Sequence, residues 1–386
     1  MDFERSAEQE ALYQEGLALG RGALAAPDIT ARDRDGVFSP ALWRVCAERG
    51  LLGAVTPAAL GGRGLSLLDA CMLAEGLGRG CPDAGLLFAA GAHLFGALPA
   101  LEALADDAQR TRWLRPLARG EAAAALAVTE AGSGSSAFEM SARAVRDGAD
   151  WVLSGEKRWV TNAPFADVLL IFARTGDGSA LGAISCFVVP AGTPGLTAGP
   201  PEDLTGLRTC PVGSLTLDGC RVPAESLLGQ EGGGALAFLH AMRWERVGLM
   251  AFAVGAMQRQ LDGCARFVRR RRVGATPLSA HQAVTHRVAE MAARLEGARA
   301  LVYRAAWRVD RGAAGADASI AKLATGEALV ANALDAVRVH GAAGLRRGEV
   351  ERSLRDAVMS TAYSGTADIQ RALIAQQLGL RPPRAR

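Results

Sequence analysis

The sequence predicts a mainly α-helical protein with a small β domain set between two helical ones. Three observations carry this. Residues 1–122 read as helices with capped starts and glycine stops. From 123 to 228 the apolar period changes from helical to alternating, with glycines and prolines breaking the links. In the last part, residues 229–386, the chain is helical to the end after the hinge-like EGGG at 231–234, with apolar residues recurring every three or four positions.

In the first helical part, Pro40 follows Ser39, a good N-cap, and ALWRVCAERG runs to Gly50. Pro57 and the pair Gly61-Gly62 force a loop. Two more helices follow, through Leu77 and around Leu94, and DDAQRTRWLRPLARG leads into the β domain. Residues 84–101 approach membrane-span length, but His93, Pro99 and many small residues interrupt the run, so it reads as a buried helix. In the β domain, ARAVRDGADWVLSG reads as a hairpin turning near Asp147-Gly148. DVLLIFAR, ISCFVVP and SLTLDGCRVP supply further strands, the last with a second Asp-Gly. The helix expected over 236–272 carries one stripe: Val247, Met250, Val254, Met257, Leu261, Cys264 and Val268. Val284, Val288, Met291, Leu295 and Val302 stripe a second helix; a third covers 317–340, and a shorter one follows Gly365. Helices striped this way pack as an up-down bundle, with the methionines in its core.

The totals set limits. At 386 residues the chain has room for two or three domains with cores of their own. A net charge of +3 gives no case for nucleic-acid binding. Seven dispersed cysteines without a C-x-x-C pair read as reduced thiols rather than a disulfide framework or a zinc site. His240, His281, His286 and His340 show no metal-ligand spacing with carboxylates. No signal peptide and no membrane span are read at the start, so a cytoplasmic protein is expected.

The stretch Ala125–Ala163 is the chemical centre. It opens with ALAVTEAGSGSS, a short apolar strand ending in a glycine- and hydroxyl-rich turn. Gly132 and Gly134 are expected at positive φ, letting successive N–H groups converge, with Thr129, Ser133, Ser135 and Ser136 adding hydroxyls. It closes with GEKRWVTNA, where alternation puts Trp159 and Thr161 on one face. Each half alone also fits an ordinary loop and a core tryptophan. Together they suit a planar cofactor that carries phosphate.

Both segments, in order and spacing, resemble the flavin-binding segments of the acyl-CoA dehydrogenase family, and the likeness continues along nearly the whole chain. The resemblance implies an N-terminal helical domain, a small β-barrel or sandwich and a C-terminal four-helix bundle. It also implies FAD. Leu126, Val128, Thr129 and Ser135 take the first flavin contacts, and Trp159 and Thr161 flank the isoalloxazine ring. Arg271 matches the arginine that reaches a neighbouring subunit's FAD, which implies a homodimer or homotetramer. Gln282, Arg338, Gly341 and Thr366 are further cofactor positions. The chain departs from the family pattern at Gly274-Ala275, at Arg338 where a glutamine is usual, and at Ala342.

The family's reaction needs a desolvated base opposite the flavin and donors that polarise the thioester carbonyl. Many members place a glutamate in a Glu-Gly-Thr turn near the C-terminus. Here YSGTADIQR puts Ser364 there, and a serine hydroxyl cannot serve unaided. Another branch carries the glutamate on the long bundle helix before an arginine, and RWERVG places Glu245 and Arg246 at that point. Glu245 is therefore the expected base, with Arg246 and Ser364 at the substrate. The Arg355-Asp356 pair reads as structural. The implied partners are an acyl thioester on CoA or on an acyl carrier protein, the latter as in relatives of polyketide extender-unit pathways that oxidise carrier-bound hydroxyacyl groups, and an electron acceptor, a flavoprotein or other. A related flavin monooxygenase and a catalytically silent scaffold are the competing readings.

Overall fold

A computed structural model describes residues 4–177, 181–313 and 315–380. The first part consists of α1 (Ala7–Arg21), α2 (Ile29–Asp35), α3 (Pro40–Glu48), α4 (Leu67–Gly80), α5 (Ala84–Gly91) and α6 (Leu98–Leu104), with the short turns α7 (Asp107–Gln109) and α8 (Arg115–Ala118). The Ser39 hydroxyl accepts from Leu42 N at 3.3 Å, so α3 starts where its cap requires. Between α5 and α6 the chain widens into a π-helical segment, Ala92–Ala97. The run Ala84–Leu104 is long and apolar enough to cross a membrane, yet most of it is buried inside the fold. His93 sits in that run with no exposure. Its Nε2 meets Leu117 O at 3.1 Å, its Nδ1 accepts from Ala124 N at 3.0 Å, and burial holds the imidazole down at about 4. The ring is thus the neutral joint between the helices and the first strand.

The sheet runs β1 (Ala124–Ala127), β4 (Val168–Arg174), β2 (Arg143–Asp147), β3 (Asp150–Thr161), β7 (Val212–Val222), β6 (Leu196–Ala198), with β5 (Ile184–Pro190) also pairing with β4. The β2–β3 hairpin turns at Gly148, φ +65°, as expected of Asp-Gly. The second Asp-Gly does something else. Asp218-Gly219 lies inside β7, where the pairing slips between Leu153–Cys220 and Gly155–Leu217, so it forms a bulge and the strand continues.

The last part holds α9 (Gly234–Arg270), α10 (Gln282–Asp310), α11 (Asp317–His340), α12 (Glu349–Met359) and α13 (Ala367–Gln377). Val247, Met250, Val254, Met257, Cys264 and Val268 are all buried, so the stripe of α9 is the seam of the bundle. α12 was not anticipated as a separate helix: its apolar positions are interrupted by Arg352, which is buried and donates to Thr30 Oγ1 at 3.4 Å, and by Arg355, which pairs with Glu351 at 2.8 Å. Arg355 also binds Asp33 at 2.6 Å and Asp356 accepts from Leu207 N at 2.6 Å, so that pair ties α12 to the first two parts. α4 crosses α9 at Gly78 and Gly255. A Cβ on either would overlap a carbonyl oxygen of the facing helix, which is what glycine avoids there.

Candidate active site

Glu245 lies on α9 facing the π-helical segment. The segment brings Gly96 so close that a Cβ there would stand 2.5 Å from Glu245 Oε2. From the other side, the Ser364 hydroxyl donates to Glu245 Oε1. Ser364 stands at φ +54° in the turn before α13, a left-handed conformation uncommon for a residue with a Cβ. Arg246 holds that turn: its Nε donates to Ser364 O at 3.1 Å, and its Nη1 reaches Ser319 Oγ at 3.5 Å. Lys322, buried on α11, donates to Ser360 O at 2.9 Å at the end of α12.

The electrostatics follow from this packing. Burial raises the Glu245 carboxyl above its ordinary range, while the Ser364 hydroxyl and the Arg246 charge pull it back. Burial lowers Arg246 to about 10, against the opposing charge of Glu245. Burial and the neighbouring Arg246 lower Lys322 to about 8. A buried carboxylate whose pKa stands above its ordinary value, in spite of the Ser364 hydroxyl and the Arg246 charge, is suited to take up a proton.

The two halves of the Ala125–Ala163 stretch are stitched together. Arg158 N donates to Thr129 O at 2.8 Å. Lys157, with 0% exposure, reaches Val128 O at 3.1 Å and Glu130 Oε1 at 2.8 Å. Glu130 in turn accepts from Ser141 N, Ser141 Oγ and Ala142 N. Burial alone would raise the Glu130 carboxyl, but these bonds outweigh it and hold the group below its ordinary value. Burial lowers the Lys157 ammonium. This ion pair shapes the loop, and nothing in the sequence pattern marked it. Gly132 and Gly134 are not at positive φ, contrary to expectation; the loop's path is set by Glu130 instead.

Trp159 and Thr161 also differ from simple alternation. A bulge between Lys157 and Val160 puts Trp159 at φ +57° and leaves its ring 53% exposed. Thr161 is half-buried at the strand end, and Asn162 Nδ2 ties that end to Ala89 O at 2.9 Å. This aromatic residue in left-handed backbone has the Arg158 guanidinium 5.6 Å from its ring centroid and is otherwise exposed beside the Thr129 loop, where it offers a surface to a flat partner. Ser133 Oγ is buried there without a hydrogen-bond partner. Val128 is buried, Leu126 and Thr129 are partly open, and Ser135 is exposed. The arrangement fits a planar group with a polar, phosphate-bearing tail.

Arg271, Gln282, Arg338 and Gly341 gather at the far end of the bundle, at the C-terminal ends of α9 and α11 and the start of α10. Arg271 and Gln282 are exposed, Arg338 pairs with Asp335 at 3.2 Å, and Gly341 ends α11 at φ +59°. At 1.5 Å per residue, Arg271 is about 39 Å from Glu245 along α9. Thr366 is not with them. It caps α13, accepting from Ile369 N at 3.3 Å, two residues from Ser364.

Three family profiles match in series: the acyl-CoA dehydrogenase N-terminal domain over residues 6–121, the middle domain over 125–220 and the C-terminal domain over 232–379. An L-prolyl-[peptidyl-carrier protein] dehydrogenase from Pseudomonas fluorescens is 40% identical over 349 residues, spanning 89% of this chain and 91% of that one. The chain belongs to the acyl-CoA dehydrogenase family. Solved members resemble it throughout. The crystal structure of the prolyl acyl carrier protein oxidase AnaB has a TM-score of 0.95 at 35% identity, covering 98% of this chain and all of that one. PigA with FAD and proline has a TM-score of 0.96 at 32% identity, covering 99% and 100%. The acyl-CoA dehydrogenase fold expected from the sequence, with helical N-terminal, β middle and helical C-terminal parts, is therefore the fold of this chain.

Proposed function

We propose that the protein is an FAD-dependent dehydrogenase of an acyl thioester in which Glu245 is the base. The observation that carries this reading is Glu245 itself: a desolvated carboxylate held by Ser364 at the very turn where other family members supply the acid. FAD, held by the Thr129 loop and Trp159–Thr161, would supply the hydride acceptor. Glu245 accepts the proton leaving the α-carbon. Arg246 keeps Ser364 aimed at that carboxylate, and Gly96 leaves room for it. Trp159, Thr161, Leu126, Val128, Thr129 and Ser135 hold the ring side of the cofactor. Arg271, Gln282, Arg338 and Gly341 serve the adenosine side of a second copy's FAD; the 39 Å reach of α9 supports this, since one chain's base and its arginine cannot attend the same ring. The working unit is then a homodimer or homotetramer in the cytoplasm.

The names of the relatives favour a carrier protein over CoA as the handle, and an aminoacyl group such as L-prolyl over a hydroxyacyl group. Anaerobic mixing with L-prolyl carrier protein is expected to bleach the flavin, at least tenfold faster than mixing with a short acyl-CoA. Equal or faster bleaching by the CoA ester would make CoA the handle. The acceptor is tested in the same preparation: oxygen uptake matching substrate consumed marks an oxidase, and its absence a dehydrogenase that passes electrons to another flavoprotein.

The pH dependence has a definite sign. Only the ionised carboxylate accepts the α-proton, so the rate of flavin reduction rises with pH through the Glu245 pKa. Ser364→Ala removes a donor that favours the ionised form, so the acid limb of the rate profile should move to higher pH. A limb that stays in place or moves down would show that Ser364 does not tune this group.

A further inference from the structure

A cation stands beside the seat proposed for the ring. Lys157 is buried and occupied by Glu130 and Val128 O. Arg158, next in β3, is half-buried and turns instead to Glu202, its Nη2 donating to Glu202 Oε1 at 3.1 Å. Glu202 follows β6 and is fixed by its own N–H, which donates to Val212 O at 2.8 Å. The Arg158 backbone is fixed too, through its N–H on Thr129 O. So held, the guanidinium rests 5.6 Å from the centroid of the Trp159 ring. Its Nε is buried and has no hydrogen-bond partner among the described residues, so one donor of this cation is left unused by the chain.

We propose that Arg158 tunes the flavin: its charge favours the reduced cofactor, and Glu202 sets how much of that charge is felt. The inference rests on the reading above that Trp159 flanks the ring. Two electrons and one proton add one negative charge to a flavin ring system, so a fixed cation beside it stabilises the reduced form and a fixed anion opposes it. The Lys157–Glu130 pair sets both signs 2.8 Å apart and largely cancels at a distance. Arg158 and Glu202 oppose each other in the same way, but the guanidinium is the member that lies over the Trp159 ring. Stacked aromatic centroids are at most ~7 Å apart, which keeps a ring on Trp159 within about 12 Å of the guanidinium. At about 12 Å and an effective dielectric of ~20, a unit charge changes an equilibrium constant about tenfold. For a two-electron couple that is ~30 mV.

The test measures the two-electron potential of the flavin, without substrate, by equilibration with a reference dye during slow reduction. Parent holoenzyme is compared with Arg158→Met, Arg158→Lys and Glu202→Gln. Sulfite, which adds reversibly to the ring and leaves negative charge on it, gives a second reading as a dissociation constant. Arg158→Met should lower the potential by ~30 mV, the equivalent of tenfold, and weaken sulfite binding about tenfold. Arg158→Lys should keep most of the parent value. Glu202→Gln should move both readings the other way by a smaller amount. Opposite signs mark a charge effect, because a loosened strand would move both variants in one direction. If Arg158→Met retains too little flavin, Glu202→Gln and Arg158→Lys decide the matter. Unmoved readings, or shifts of one sign, overturn the tuning role. Trp159→Leu reports on the seat: an unaltered flavin band and flavin content there would remove the seat and the tuning role together, whereas an altered band with unmoved potentials in the other variants rejects only the charge. A parent reduced by no acyl thioester, yet with opposite shifts in the two charge variants, would remove the dehydrogenase reading and leave the tuning role standing.

Discussion

Glu245→Gln should reduce the rate of substrate-driven flavin reduction by about 10²- to 10⁴-fold, the usual contribution of a positioned general base. The amide keeps the shape and the contact with Ser364 but cannot take up a proton. Flavin content should stay at the parent level, because Glu245 is on α9 and not in the Thr129–Trp159 cradle. Anaerobic stopped-flow, following the flavin band, gives the result directly. A variant that bleaches at the parent rate would eliminate Glu245 as the base. The contact between Ser364 and Glu245 adds a stricter form of the experiment. Because the two side chains meet, a carboxylate launched from either position arrives at nearly the same point. Glu245→Ser combined with Ser364→Glu should therefore recover part of the lost rate. Recovery should be incomplete, since the relocated carboxylate comes from the turn before α13 and not from α9 and so approaches from a different direction.

Lys157→Met should have the largest effect on stability. The change leaves Glu130 buried with its donors from Ser141 and Ala142 but without a counter-charge, and breaking one side of a buried pair costs about 3–5 kcal/mol. Because Lys157 also binds Val128 O, the Thr129 loop loses one of its ties to β3 and keeps the Arg158 N–Thr129 O bond. The expected result is a lower urea midpoint for the β domain together with weaker retention of FAD. Glu130→Gln in the same chain should restore part of the stability, since no unpaired charge then remains. A Lys157→Met protein with the parent midpoint would show that the pair does not hold the loop.

The fold was legible because its signals are local and repeated. The α9 stripe, the Ser39–Pro40 start and the Asp147-Gly148 turn each state in a few residues what the backbone does. Glu245 was singled out by contrast, since Ser364 stands where one branch of the family has its acid and Arg246 marks the other place; the contact between Glu245 and Ser364 was not legible. What escaped the sequence depends on contacts between distant segments. Glu130 and Lys157 look like two surface charges until the strands that carry them are placed side by side. The bulge at Trp159 is a register slip against β7, which no window of β3 alone displays. Asp218-Gly219 shows the same limit, for one dipeptide serves as a turn in β2–β3 and as a bulge in β7. α12 was hidden because Arg352 and Arg355, whose partners Thr30 and Asp33 each lie 322 residues earlier in the chain, break up its apolar pattern.

The left-handed backbone of Trp159 bears on when its cost is met. A conformation that disfavours an aromatic residue by roughly 1–3 kcal/mol is imposed by the paired strands while the chain folds, before any cofactor arrives. On the reading proposed above, a flat ligand would meet a backbone already in place, and this strain would not be subtracted from its affinity.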